Sequence, residues 1–250
     1  MILNDHSFDG NFDVYLADTA ESRQIHYNLR YQVYCDEMGY EDRQRFPDQL
    51  EYDDWDTDSI HFIVRHRLTR HWVGALRLVF QRSGTFPFEF WAPPSEILSP
   101  ACYSTSIEIS RLCVIKEARR FVSKRFAPYG LPDQDVDENH ANIRSIFTHK
   151  NQSRSIMWGL YRAAADYSTE NGIKHWYILV TPALAYFVEK EGFAMHPVGD
   201  VCDHRGLRRP YRLDVEHILA NPFWLKDFKN HFLRYSALAD QDQSGIALVL

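Results

Sequence analysis

Apolar residues recur along the chain with two different spacings, which predict a fold of alternating strands and helices. Ile25, Leu29 and Val33 recur at the spacing of one helix face, and Gly39 follows as a helix stop. Short alternating or continuous apolar runs predict β-strands elsewhere. The predicted strands span residues 12–17, 60–66, 72–80, 104–115, 174–180 and 210–215. The predicted helices span about 18–38, 153–170 and 182–191.

Polar segments separate these elements. Residues 41–58 are acidic and predict a long ordered loop, and the four prolines in 83–100 exclude regular structure over most of that segment. Residues 126–150 are polar and are interpreted as an insertion. We therefore expect one domain over residues 1–215, followed by a helical extension over 216–250 that packs on it. Aromatic residues at helical spacing suggest the extension, with core cover favoured over a dimer contact: Phe223, Trp224, Phe228, Phe232 and Tyr235.

Composition limits the class of protein. The chain has 250 residues, of which 45% are hydrophobic, and this is enough to bury a sizeable core. Its net charge of −6 argues against general nucleic-acid binding. The four cysteines are scattered without a paired motif, which favours a reducing compartment. No leader-like start and no run of membrane-spanning length is found, so we expect a cytoplasmic protein without an integral membrane segment.

Four short runs place charged residues among apolar ones, where a buried charge persists only if it is paired or used. In order they are Leu29-Arg-Tyr-Gln-Val-Tyr34, Glu51-Tyr-Asp-Asp-Trp-Asp56, Gly74-Ala-Leu-Arg-Leu78 and Glu108-Ile-Ser-Arg-Leu112. Together they resemble the N-acyl-transferring branch of the GNAT acetyltransferase superfamily. Within that branch the runs resemble those of the LuxI-type autoinducer synthases and of the long-chain N-acyl amino acid synthases associated with PEP-CTERM/exosortase systems. The later run Tyr186–Phe193 resembles the superfamily's late helix and turn.

This resemblance implies an α/β (α+β) fold in which helices flank a central mixed, mostly antiparallel sheet. The predicted order of strand, helix, three antiparallel strands, helix, strand, helix and strand agrees with it. The resemblance also implies an enzyme, specifically an acyltransferase.

The fourth run contains the candidate catalytic residues. Strand periodicity puts Glu108 and Ser110 on one face, where a carboxylate could take the proton of an incoming ammonium group. The alternative is that Glu108 pairs with an arginine and only stabilises the sheet. Arg111 falls on the opposite face unless a β-bulge intervenes, and because the family's arginine here is functional, we expect a bulge. The resemblance thus assigns Glu108, Ser110 and Arg111 to catalysis.

The other runs supply a candidate acceptor pocket. An arginine can hold a substrate carboxylate, and aspartates can accept hydrogen bonds from an ammonium group. The alternative is a buried salt-bridge network that braces the first long helix and the acidic loop against the sheet. Two tyrosines fit the family's aromatic positions as walls or as core, and Thr181 either contacts the acyl chain or only caps a helix. The candidate substrate-binding residues are Arg30, Tyr34, Tyr40, Asp53, Asp56, Arg77 and Thr181.

The segment after the central strand marks the donor side. The Gly-rich turn that typically binds coenzyme A pyrophosphate is missing, and basic residues stand there instead. The resemblance implies acyl carrier protein as donor, its phosphopantetheine carrying the acyl group; the alternative is an ordinary solvated surface. We expect no bound cofactor, and His61, His66 and His71 lack a metal-ligand pattern. The predicted docking residues, here called the basic rim, are Lys116, Arg119, Arg120, Lys124, Arg125, Lys150 and Arg154.

The sequence therefore favours an acyl carrier protein-dependent N-acyltransferase that acylates the α-amine of an amino acid. The first alternative is an N-acylhomoserine lactone synthase that uses S-adenosylmethionine. Against it, Tyr40 stands where those enzymes typically carry Trp, and Arg77-Leu78 continues to Val79-Phe80-Gln81 rather than Leu-Pro-Thr. A second alternative is a non-catalytic module that binds acyl carrier protein.

Overall fold

The computed structural model describes residues 8–120, 143–225 and 227–238. The β-strands are β1 (Phe12–Leu16), β2 (Ser59–His66), β3 (Trp72–Val79), β4 (Ser106–Val114), β5 (His175–Val180), β6 (His196–Pro197), β7 (Cys202–Asp203), β8 (Leu207–Asp214) and β9 (Leu233–Arg234). The α-helices are α1 (Phe8–Asn11), α2 (Ala20–Arg30), α3 (Pro100–Ser104), α4 (Lys116–Arg120), α5 (Ile143–Glu170), α6 (Pro182–Lys190) and α7 (Val215–Ala220).

These strands form one mixed sheet in the order β6-β8-β5-β4-β3-β2-β1-β9, with β7 paired to β8. Strands β1 to β4 are antiparallel neighbours, β4 and β5 are parallel, and β5 and β8 are antiparallel. This is the predicted fold class, a mostly antiparallel sheet flanked by helices. No described helix is long and apolar enough to cross a membrane.

The alternation of side chains along β2 shows how helices cover both faces of the sheet. His61 contacts the ring of His26 on α2, while the next residue, Phe62, contacts the ring of Tyr167 on α5. Because successive strand residues point to opposite faces, α2 and α5 lie on opposite sides. The candidate residues of β3 and β4 must therefore be sorted by face.

The predicted first long helix changes type in its middle. Helix α2 ends at Arg30, and the chain continues as a π-helix over Tyr31–Glu37. The Met38 amide donates to the Val33 carbonyl oxygen over 3.0 Å, a bond that spans five residues. The wider turn shifts the following side chains relative to an ideal α-helix. Leu29 and Val33 are buried as predicted, whereas Ile25 is only partly buried.

Two segment predictions need correction. Helix α5 begins at Ile143, so residues 143–150 of the predicted insertion belong to a helix, and residues 121–142 lie outside the described residues. The predicted C-terminal helix is not continuous, because a 3₁₀ turn over Pro222–Leu225 and the short strand β9 follow α7. The aromatic residues predicted there still cover the core, and Trp224, Phe228 and Tyr235 are buried.

The reason for the interrupted helix is that N-terminal carboxylates hold its backbone. Asp9 accepts a hydrogen bond from the Lys229 amide at 2.7 Å, and Asp18 accepts one from the Ser236 amide at 2.9 Å. Phe228 adopts a left-handed φ of 65°, which no α-helix can contain. Strand β9 then pairs in parallel with β1 at the edge of the sheet.

Candidate active site

The fourth charged run lies on the central strand β4. Glu108 and Ser110 share one face, as predicted, and Glu108 is only 4% exposed. A Glu108 carboxylate oxygen accepts a hydrogen bond from the Phe88 amide at 2.8 Å. Among the described residues Glu108 forms no salt bridge, so the alternative in which it pairs with an arginine is wrong for this part of the chain.

The surroundings of Glu108 change its acidity. Phe88 and Tyr177 stack at 5.4 Å, and Tyr177 is the register partner of Glu108 on β5. Burial raises the pKa of Glu108 to about 8, although the Phe88 amide and the charge of Arg77 oppose the rise. A carboxylate with this pKa is a stronger base than an ordinary glutamate and still ionises near neutral pH.

Arg111 sits in the predicted β-bulge. The register passes from Ala75 opposite Cys113 to Arg77 opposite Ser110, so β4 has one extra residue. Arg111 takes a left-handed φ of 52° there. The bulge turns its guanidinium to the face of Ser110, where it lies 3.1 Å from an oxygen of Glu51. The expectation of a bulge is confirmed.

The arginines and aspartates of the other runs meet on the same face. Arg30 is fully buried and pairs with Glu51 and, at 2.6 Å, with Asp56. Arg77, 1% exposed, lies 2.6 Å from Asp53 and 3.0 Å from Asp56, and its Nε donates to the Ser110 hydroxyl at 3.0 Å. The salt-bridge network that the sequence leaves open as an alternative therefore exists, and it joins α2 and the acidic loop to the sheet.

The pKa values of these carboxylates follow from the pairing. Burial alone would raise the pKa of Glu51, but the charges and hydrogen bonds of Arg30 and Arg111 lower it to about 2. Burial acts likewise on Asp56, and a hydrogen bond from His61 together with the charges of Arg30 and Arg77 holds its pKa well below the usual range. Both groups stay ionised under ordinary conditions.

The network has a buried centre and a reachable edge. Arg30, Asp56 and Arg77 are enclosed, whereas Arg111 is 18% exposed and Asp53 is 27% exposed. A substrate can thus reach Asp53 and Arg111, while the enclosed residues hold them in place. Of the predicted site residues in this network, Asp53, predicted to bind the acceptor, and Arg111, predicted to be catalytic, stand at the accessible edge.

The candidate aromatic residues lie beside a gap between two strands. The β4–β5 pairing ends at Ile109 opposite Ile178, after which the strands separate. The Tyr34 hydroxyl donates to the Leu112 carbonyl oxygen at 2.8 Å on the β4 side, and the Tyr40 amide donates to the Tyr34 carbonyl oxygen at 2.8 Å. On the β5 side, Thr181 caps α6 by accepting from the Leu184 amide at 3.2 Å. The capping alternative for Thr181 is confirmed, and an acyl contact stays a prediction.

Most side chains of the basic rim lie outside the described part of the chain. Lys124 and Arg125 lie outside the described residues. Four further residues lie on α4 and α5, where the structure describes only their backbone: Arg119, Arg120, Lys150 and Arg154. Lys116 is exposed at the start of α4. Docking at this rim stays a prediction.

Sequence reasoning missed several members of the network. Glu51 belongs to the second charged run but has no role in the sequence-based prediction, and its signal is its place in the same acidic run as Asp53 and Asp56. His61, dismissed as a metal ligand, lies with its Nε2 2.9 Å from Asp56, and burial lowers its pKa. Glu41 pairs with Arg205. These residues lie far apart in the sequence, and no local pattern connects them. No group of residues in the described part of the chain could hold a metal ion.

Comparison with known families finds a match to part of the chain. Residues 29–127 match the family described as acetyltransferase (GNAT) domain, a segment that contains all four charged runs. No curated protein sequence matches the chain significantly.

Solved structures extend the likeness beyond the GNAT domain segment. The CoA-dependent acyl-homoserine lactone synthase BjaI, solved with MTA, has a TM-score of 0.60 at 14% identity and covers 90% of this chain and 92% of its own. The AHL synthase LasI has a TM-score of 0.51 at 14% identity, covering 82% and 90%. FeeM, an N-acyl amino acid synthase from uncultured soil microbes, has a TM-score of 0.49 at 12% identity, covering 84% and 93%. The likeness to BjaI and LasI shows that this chain shares their fold over most of its length.

Proposed function

We propose that this GNAT protein transfers a long-chain fatty acyl group from acyl carrier protein to the α-amine of an amino acid. The observation that carries the proposal is Glu108, a buried carboxylate with a pKa of about 8, placed where β4 and β5 separate. Acyl transfer to an ammonium group needs a base of this kind, because only the neutral amine attacks a thioester.

The reaction proceeds by direct attack. Glu108 takes a proton from the α-ammonium group, directly or through one water. The nitrogen then attacks the thioester carbon, a C–N bond forms, the C–S bond breaks, and the leaving phosphopantetheine thiolate takes up the proton held by Glu108. The nitrogen loses its second proton to water as the amide forms. A backbone N–H of the bulged strand polarises the thioester oxygen. No nucleophilic serine and no bound cofactor or metal take part.

The accessible edge of the arginine network receives the acceptor. Asp53 and Arg111 face it, Ser110 and Arg77 orient them, and Arg30 with Asp56 braces them from behind. Tyr34 and Tyr40 line the gap, and Thr181 stands at its far side near the acyl chain. The basic rim docks acyl carrier protein, and this donor makes the reaction cytoplasmic, in keeping with four free cysteines.

The test is the identity of the product. Purified protein is incubated with long-chain acyl carrier protein or the matching acyl-CoA, and with a mixture of amino acids or S-adenosylmethionine; products are read by mass spectrometry. We expect a linear N-acyl amino acid, more of it from acyl carrier protein, and none from Glu108→Gln. An acyl lactone with released methylthioadenosine would establish the alternative lactone synthase, and no new lipid would favour the binding module.

A further inference from the structure

Arg208 is an arginine that the charged runs do not include, yet it shares their face of the sheet. It lies near the start of β8, where Arg212 is the register partner of Tyr177 and Pro210 that of Leu179. With a period of two residues, Arg208 falls on the face of Tyr177 and Glu108. Arg209, opposite Val180, falls on the other face.

Its guanidinium is bound differently from those of the network. The Arg208 Nε donates to the His204 carbonyl oxygen at 2.7 Å, and Nη1 reaches the Leu179 carbonyl oxygen at 3.5 Å. With the carboxylates of the described residues Arg208 forms no salt bridge, although it is partly buried. Burial accordingly lowers the pKa of Arg208. A half-buried guanidinium held only by carbonyl groups keeps its positive charge uncompensated.

Charge counting shows that the network does not supply the missing partner. Its arginines Arg30, Arg77, Arg111 and Arg205 are matched by Glu41, Glu51, Asp53 and Asp56, four against four, and the exposed Arg45 also reaches Glu41 from the surface. His204 adds no charge at neutral pH, because burial and the neighbouring Arg205 and Arg208 lower its pKa to about 4. None of these carboxylates forms a salt bridge with Arg208, so its guanidinium remains available to pair with a substrate anion.

The position of Arg208 fits a substrate anion. Tyr34 and Tyr40 are close enough to Arg208 for their hydroxyl groups to affect its pKa. Leu179, which accepts its hydrogen bond, lies on the β5 side of the gap. The Trp91 ring packs at an angle against the His204 ring, with centroids 4.1 Å apart, next to the carbonyl that Arg208 binds. The guanidinium is thus fixed at the gap with donor capacity to spare.

We infer that Arg208 binds the α-carboxylate of the acceptor amino acid. This assignment rests on the proposed function and replaces the sequence-based expectation that Arg30, Arg77 or Arg111 would do so, because each of those already has carboxylate partners. The acceptor's ammonium group then lies toward Asp53 and Glu108. Arg208 is a specificity residue in this scheme, since it distinguishes an amino acid from its amide.

A competition experiment tests the assignment. Protein, long-chain acyl carrier protein and an equimolar mixture of L-amino acids and their α-amides are incubated together, and mass spectrometry measures the ratio of acylated acids to acylated amides. This ratio is independent of the amount of folded enzyme. We expect the wild type to favour acids roughly 10- to 100-fold, as for a charge-assisted hydrogen bond. Arg208→Gln should bring the ratio close to one, and Arg208→Lys should restore part of it.

The matched control is Arg209→Gln, which changes the neighbouring arginine on the opposite face and should keep the wild-type ratio. A second arm replaces acyl carrier protein with a phosphate-free acyl thioester. If Arg208→Gln keeps the preference for acids but loses activity only with acyl carrier protein, Arg208 binds the donor phosphate and the assignment is overturned. A wild type that acylates no amino acid refutes the proposed function and this assignment together; active wild type with an unchanged ratio in Arg208→Gln refutes the assignment alone.

Discussion

Single residues in this protein hold buried charge in two ways. Arg30 is enclosed with two carboxylates, and although burial alone would lower its pKa, Glu51 and Asp56 raise it. Glu108 has no cationic partner among the described residues and relies on one backbone N–H, so burial dominates. The first arrangement fixes a charge permanently, whereas the second produces a group that changes its proton count near neutral pH.

Replacing Glu108 by Gln tests its role as a base. The amide keeps the shape and can still accept the Phe88 hydrogen bond, so we expect a folded protein whose kcat falls roughly a hundredfold or more. Circular dichroism and single-turnover acylation measure the two quantities. Wild-type rates in a folded Glu108→Gln protein would remove this residue from the mechanism.

The pH dependence follows from the raised pKa of Glu108. Because the base must be ionised, kcat/KM should rise with pH and level off above about 8, and this limb should vanish in Glu108→Gln. Stability should change in the opposite direction. Between pH 4.5, the ordinary glutamate pKa, and about pH 8, Glu108 keeps its proton in the folded state and loses it in the unfolded state. The contribution of Glu108 to the free energy of unfolding is therefore fully present below pH 4.5 and is lost as the pH rises through 8. Urea denaturation from pH 4 to 9 should show the wild type losing this stability and Glu108→Gln losing less.

Among the elements, β4 does most to assemble the site. Glu108 and Ser110 share one face of β4 by ordinary alternation. The extra residue of the bulge rotates Arg111 to that face as well, so three site residues point the same way. The cost is a left-handed backbone at a residue with a side chain, φ 52°. The guanidinium bonds to Glu51 and Asp53 hold Arg111 in that conformation.

Comparison of two substitutions isolates the backbone cost. Arg111→Ala and Arg111→Gly both remove the guanidinium, but only glycine accepts the left-handed φ without a Cβ clash. Glycine usually destabilises a strand relative to alanine. At this left-handed position we nevertheless expect the free energy of unfolding of Arg111→Gly to be about 1 kcal/mol higher than that of Arg111→Ala. Urea denaturation of both variants measures the difference. Equal stabilities would show that the bulge relaxes once the side chain is gone.

The sequence predicts the elements of this fold well where one local pattern decides them. The hairpin of β2 and β3, and the capped start of α6 at Thr181, follow from periodicity and capping chemistry. The π-helix does not, because Tyr31–Glu37 has the spacing of an ordinary amphipathic helix. The broken C-terminal helix was missed because aspartates about 220 residues earlier decide its course.

Part of the candidate site, too, can be predicted from local sequence patterns, and the rest depends on the folded structure. The order of the charged runs predicts that Arg30, Arg77, Arg111, Asp53 and Asp56 meet, and they do. Which of them a substrate can reach depends on burial, which no run reveals. Pairs between distant segments, such as Glu41 with Arg205, arise only from the folded topology.

For the whole molecule, the balance of charge affects which donor can approach. The net charge of −6 would repel an acidic carrier protein unless a local basic surface compensates. We expect Arg119→Glu with Arg120→Glu to raise KM for acyl carrier protein about tenfold or more while sparing a short acyl-pantetheine donor, and wild-type turnover with acyl carrier protein to slow as salt rises.

Charge reversal at two exposed lysines provides the control. Lys174 lies just before β5 and Lys190 at the end of α6. The double variant Lys174→Glu with Lys190→Glu changes the net charge by the same amount as the arginine variant and should leave KM for acyl carrier protein near the wild-type value. Equal losses in the two double variants would make the effect one of overall charge. Equal losses with both donors in the first variant would place the defect in the pocket.

Pairing of β9 with β1 has a consequence for synthesis on the ribosome. The hydrogen bond between Asp18 and Ser236 spans 218 residues, so β1 is translated long before its outer partner exists. At ordinary elongation rates the wait is on the order of 10 to 40 s. Throughout that time the nascent chain carries an open β-edge next to the aromatic core. This edge can therefore close only after residues 233–236 have left the ribosome, and until then the nascent chain depends on chaperones to keep the edge from pairing with other chains.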